Sequence, residues 1–139
     1  MLGIRRIRLQ RAETALIRAR QAEKRAADEV VARQAAAEQT AIDNKARESE
    51  LALELFNRKT VLSHIESFRR DVGQLRRATS QAREDVEVAK QNSQQAKVAT
   101  REAVEGQRRA YRAVEKLEFS VQELAAEAMP TAGMDSQDA

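Results

Sequence analysis

The chain has 139 residues and a formal net charge of +3; 34% of its residues are charged, 3% are aromatic, and cysteine is absent. The lack of cysteine excludes disulfides, thiolate metal sites and cysteine nucleophiles, and no apolar run approaches the ~20 residues of a membrane-spanning helix. Four Gly, one Pro and a large share of Ala and charge describe long, solvent-covered helices, because Ala buries too little area to fill a thick core.

The first predicted element opens with a basic run, Ile4-Arg5-Arg6-Ile7-Arg8-Leu9-Gln10-Arg11. It has no apolar h-region, so it is not a secretory signal, and it lacks the Trp or Phe of a membrane-surface helix. It also lacks the interleaved aromatics that would favour a nucleic-acid patch. The preferred reading sets Arg5, Arg6, Arg8 and Arg11 against an acidic protein surface while Ile4, Ile7 and Leu9 join a helix seam. That seam continues as Leu9, Ala12, Leu16, Ala19, Ala26, Val30 and Ala37, with Glu23 and Arg33 interrupting it. After Ala37 the register breaks around Asp43-Asn44 and resumes as Ile42, Ala46, Ser49, Leu53, Phe56 and Thr60.

A turn is expected within about 57–66. Asn57-Arg58-Lys59 places cations at a helix C-terminus, and Thr60 or Ser63 can cap the next helix, with Ser63 and Glu66 at capping-box spacing. Gly73 is the rival turn site, but it lies between seam residues Val72 and Leu75. The only histidine, His64, falls in this turn and reads as a solvated surface residue. Around it crowd Leu53, Leu55, Phe56, Val61, Leu62, Ile65 and Phe68, more apolar side chains than a two-helix end can bury. Phe56 and Phe68 sit on the seam lines and read as structural; Val61, Leu62 and Ile65 are the better docking residues, with Phe68 beside them.

The second helix has the clearest pattern in the chain. One line runs Phe68, Leu75, Ala82, Ala89, Ala96, Ala103, Ala110, Leu117, Leu124; the other runs Val72, Thr79, Val86, Ser93, Thr100, Gln107, Val114, Val121, Ala128. A 3.5-residue period held this long is a coiled-coil seam, and a helix of that length extends about 90 Å. Its large residues lie toward the ends and its small ones in the middle, which predicts firm ends and a soft centre. Pro130 is expected to end the helix, leaving 130–139 as a disordered tail.

Residues 1–25 carry eight basic and two acidic side chains, and residues 115–139 carry one basic and six acidic. An antiparallel hairpin brings these stretches together, whereas parallel rods would set like beside like. The predicted fold is therefore all-α, two long helices forming one antiparallel coiled-coil hairpin over 1–129, with helix 1 at about 3–58 and helix 2 at about 64–129. No glycine-rich phosphate loop, catalytic triad or His/Cys metal spacing is present, and a two-helix hairpin offers no enclosed pocket. The chain is read as a non-enzyme without metal or cofactor, soluble and cytoplasmic.

The segments Ile4 to Ala12 and Thr60 to Arg69 resemble those of type III secretion stalk proteins of the YscO/FliJ-like family. The resemblance implies an antiparallel hairpin similar to the shaft of rotary ATPases, peripheral to the inner-membrane export apparatus and serving protein transport and virulence. Its implied partners are the hexameric secretion ATPase, met by the end bearing the termini, and the cytoplasmic ring of the export gate, met by the tip; some members also bind export chaperones. No nucleic acid and no membrane insertion belong to this reading. The resemblance fixes no contact residue; the chain's own apolar and basic residues make Val61, Leu62, Ile65 and Phe68 the expected contacts toward the gate, and Arg5, Arg6, Arg8 and Arg11 those toward the ATPase. The alternatives are a basic coiled-coil module that binds nucleic acid and a self-assembling structural coiled coil.

Overall fold

The computed structural model describes residues 2–58 and 61–138, with side chains described as far as Ala128. Helix α1, Leu2–Asn57, is joined by a short connection to helix α2, Leu62–Asp138, and the two form an antiparallel coiled-coil hairpin. Among the described residues there is no strand. The hairpin divides into a terminal unit, residues 1–22 with 97–139, and a tip unit, residues 23–96.

In the terminal unit α1 turns Leu2, Arg5, Leu9, Ala12, Leu16 and Ala19 inward, and α2 answers with Thr100, Ala103, Gln107, Ala110, Val114 and Leu117. Polar contacts pin the register. Thr100 Oγ1 donates to the Ala19 carbonyl at 3.2 Å, Arg5 donates to the Ala113 carbonyl at 2.9 Å, and Arg6 pairs with Glu118 at 3.1 Å. Numbers rise along one helix as they fall along the other, which sets Leu2 opposite the turn of α2 around Leu117. Ile4 and Ile7, expected on the seam with Leu9, are instead exposed, because the seam passes through Leu2 and Arg5.

In the tip unit the deepest residues are small: Ala37, Val72, Val86, Ala89 and Ser93 are buried. Small side chains let helix axes approach, so this region is closely packed. Along α1 the expected break near Asp43-Asn44 is absent. The helix is continuous and the heptad register of Val30 and Ala37 carries on through Asn44, Glu48, Leu51 and Leu55. Ile42, Ala46, Ser49, Leu53 and Phe56, read as the resumed seam, all face outward. Two polar seam residues of α1 have cross-helix partners. Asn44 Nδ2 donates to the Leu75 carbonyl and to Thr79 Oγ1, each at 3.1 Å, and Glu48 accepts from Arg76 at 2.8 Å. A half-buried amide with two cross-helix acceptors in place fixes register without orphaning its donor.

α2 follows its predicted lines without a slip from Phe68 to Leu117, but Val121, Leu124 and Ala128 are exposed. Beyond Glu118 the described part of α1 offers nothing opposite, so the firm end expected there does not form. The same offset corrects the charge argument for the hairpin. The α1 stretch 2–22 holds six basic and one acidic side chain, and the α2 stretch it faces, 97–118, holds six basic and four acidic. The acidic end lies past this pairing, so at this level Arg6–Glu118 supplies an opposite-charge contact and apolar burial carries most of the association.

One local expectation, the cap of α2, changes. α2 starts at Leu62, so Ser63 lies inside the helix and is not its cap; Thr60, the other candidate, is outside the described residues. Gly73 is helical, and a Cβ there would meet only Arg77 at an ordinary 3.7 Å. The tail expected over 130–139, from Pro130 on, lies outside the residues whose side chains are described.

Candidate functional site

Among the described residues of the turn, the hydrogen bonds run between backbone groups. The Arg58 amide donates to the Leu55 carbonyl at 3.4 Å, and the Val61 carbonyl accepts from the amides of His64 at 2.9 Å and Ile65 at 3.3 Å. Val61 therefore occupies the N-cap position of α2 without a capping side chain. A β-branched apolar residue there leaves its side chain free to face outward, and Val61 is 52% exposed.

Four large apolar side chains around the turn stand in solvent: Phe56 at 89%, Leu62 at 69%, Leu53 at 65%, and Val61. Ile65 and Phe68 are half-buried. Phe68 lines a shallow cleft with Leu51, Leu55, Glu54, Arg58, His64, Ser67 and Asp71. Of the four expected tip contacts, Val61 and Leu62 are thus presented, while Ile65 and Phe68 divide their surface between the hairpin and solvent. Phe56, read as a structural seam residue, is the most exposed large apolar side chain described; following the heptad from Val30 through Asn44 to Leu51 would have placed it outside.

His64 departs from the solvated reading. It is half-buried, and its Nδ1 is enclosed without a hydrogen-bond partner among the described residues. Arg47, on the α1 side of this unit, bonds Glu50 at 3.0 Å and approaches Glu54 at 3.6 Å. The Glu50 hydrogen bond, helped by the charges of Glu54 and Asp71, holds its guanidinium above the usual arginine value.

The terminal unit separates the four expected arginines. Arg5 is spent within the hairpin on the Ala113 carbonyl, and Arg6 on Glu118. Arg8 lines an open groove whose floor is Ala110, Ala113 and Leu117 and whose sides include Arg5, Arg109 and Lys116. Arg11 lies on another strip of α1 with Ile7, Gln10, Thr14, Ala15 and Arg18. Arg109 and Lys116 belong to α2 and join the N-terminal arginines only through the fold.

Among the described residues no group of three or more His, Asp or Glu side chains could hold a metal ion, and no helix is long and apolar enough to cross a membrane. The surface presents an apolar tip, a basic groove with an apolar floor, and an exposed acidic stretch of α2 beyond Glu118. No family model, curated protein or solved structure matches the chain.

Proposed function

We propose that the protein is a non-enzymatic stalk of a type III secretion export apparatus, of the YscO/FliJ-like kind. It would work in the cytoplasm, linking the hexameric secretion ATPase to the export-gate ring and offering surface to export chaperones. The observation that carries this reading is the tip: a hairpin turn that presents Leu53, Phe56, Val61 and Leu62 to solvent, within and beside the segment that resembles the family. An exposed aromatic ringed by aliphatic residues suits a docking contact, where a few anchors supply most of the binding energy.

The test is a pull-down from a native lysate with the full chain as bait. Recovery of a ring-forming secretion ATPase or an export-gate protein supports the assignment, and Phe56→Asp should abolish gate recovery without loss of helix content. Recovery of neither overturns it.

A second reading has one observation in its favour. The paired part of the terminal unit, 2–22 with 97–118, carries twelve basic and five acidic residues, and the half-exposed Tyr111 stands between Arg109 and Arg112. That is a surface on which nucleic acid could bind through phosphates. Such binding should weaken steeply between about 50 and 200 mM salt, whereas an apolar tip contact should hardly change.

A further inference from the structure

The groove of the terminal unit and the α2 stretch that follows it are complementary. The groove has an apolar floor, Ala110, Ala113 and Leu117, between the cations of Arg5, Arg8, Arg109 and Lys116. A ligand that fits it is a helix with one apolar stripe and acidic flanks. The chain carries such a helix in its own exposed segment. Val121 is 51% and Leu124 66% exposed, and both continue the seam lines of α2 with no α1 residue described across from them. Glu123 and Glu127 supply the charge, and 119–139 contains four acidic residues and no basic one.

This segment cannot turn back onto the groove of its own chain, because α2 is one continuous helix through both. A second copy can supply it. We propose that the protein self-associates as an antiparallel two-fold dimer, in which the acidic 119–128 stretch of each chain lies in the basic groove of the other. Two-fold symmetry uses both complementary surfaces twice and leaves neither open, so assembly stops at two. The alternative packing, stretch 119–128 against its own counterpart, would put acidic flank beside acidic flank and is disfavoured by charge. The inference goes beyond the stalk reading and does not depend on it.

The test is sedimentation equilibrium of the full chain from about 1 to 200 µM, together with charge-reversal variants, since a contact of this kind should dissociate within that range. The wild type should shift from monomer to dimer, and less so as salt is raised. Leu124→Asp, an exposed position in the isolated chain, should raise the dissociation constant by about tenfold or more with unchanged circular dichroism. Phe56→Asp at the tip should leave dimerisation unchanged. The sharpest arm mixes two variants: Glu123→Lys with Glu127→Lys in one chain, Arg8→Glu with Arg109→Glu in the other. Each alone should stay monomeric, and the mixture should form heterodimers, because each swapped segment then meets an opposite charge. A monomer throughout the range at low salt overturns the proposal. So does a dimer indifferent to Leu124→Asp, which would place the contact elsewhere, or a monomer whose groove takes only an unrelated acidic helical peptide.

Discussion

The terminal unit and the tip unit are made from the same heptad alphabet and hold together differently. The tip unit packs small residues to near-complete burial, with Ala37, Val86, Ala89 and Ser93 inside. It sets register with a seam amide, Asn44, that reaches both a carbonyl and a hydroxyl across the interface. In the terminal unit only Val114 is buried among the described residues, and register is set at the margins, by Arg5 and Thr100 on backbone carbonyls. One unit is specified by shape, the other by anchoring. The difference also separates surfaces: the tip unit presents apolar side chains at its turn, and the terminal unit presents charge of both signs in separate places.

The largest expected effect comes from adding volume. Ala89→Leu should destabilise by about 1–3 kcal/mol, because the site is 5% exposed and its neighbours cannot move apart without losing their own contacts. Ala103→Leu, on the same seam line but half-buried in the terminal unit, should be neutral within about 0.5 kcal/mol or stabilising. Urea melts of the two variants make the comparison. Equal losses would mean that the units pack alike.

Hydrogen exchange sharpens it next. Composition alone puts the slow amides near Leu117–Leu124 and the fast ones near Ala89–Ala103. Burial reverses the order: amides near Ala89 and Ser93 should be the protected ones, and those around Leu124 should exchange quickly in dilute solution. The self-association proposed above adds a condition, since protection at Leu124 should then rise with protein concentration while that at Ala89 stays constant. Fast exchange at Leu124 at every concentration would leave the order intact and remove the dimer.

How much of this was legible depends on which helix is read. The seam of α2 can be followed residue by residue from Phe68 to Leu117, because every inward position is apolar, small or a hydroxyl-bearing residue that suits a narrow interface. α1 cannot be followed in that way beyond Ala37. Asn44 and Glu48 stand at seam positions and look like breaks, while Ile42, Leu53 and Phe56 lie off the seam and look like its continuation. Hydrophobicity fails there because each polar seam residue is stabilised by a partner about thirty residues away, which no local pattern contains. The apolar crowding at the tip is legible in the sequence, but its most exposed member, Phe56, falls on that shifted register and so reads as inward. The offset of the acidic end was within reach: a turn near residue 60 sets Leu2 opposite about Leu117, so the acidic stretch must lie beyond.

A smaller effect tests the amide itself. Asn44→Ala should cost about 1 kcal/mol, the usual worth of a hydrogen bond whose remaining partners, a helix carbonyl and the Thr79 hydroxyl, keep bonds of their own. Thr79 Oγ1 already donates to the Leu75 carbonyl at 3.1 Å, so removal of Asn44 does not orphan it. A loss well above this would mean that Asn44 also excludes a competing register.

The smallest expected effect distinguishes two neighbouring arginines that the sequence treats as equals. Arg6 and Glu118 meet at 3.1 Å, but their side chains are 59% and 44% exposed, so water and salt weaken the attraction and ordering two long side chains offsets much of the rest. Arg6→Gln should therefore cost no more than about 0.5 kcal/mol and nothing measurable at high salt. Arg5 is half-buried, and its stem packs in the seam while its guanidinium reaches the Ala113 carbonyl, so Arg5→Gln should cost about 1 kcal/mol or more, largely independent of salt. The ratio of the two losses matters more than either value. If Arg6→Gln proved the more costly, the terminal unit would be held by its surface charges after all, and its anchoring through backbone carbonyls would be secondary.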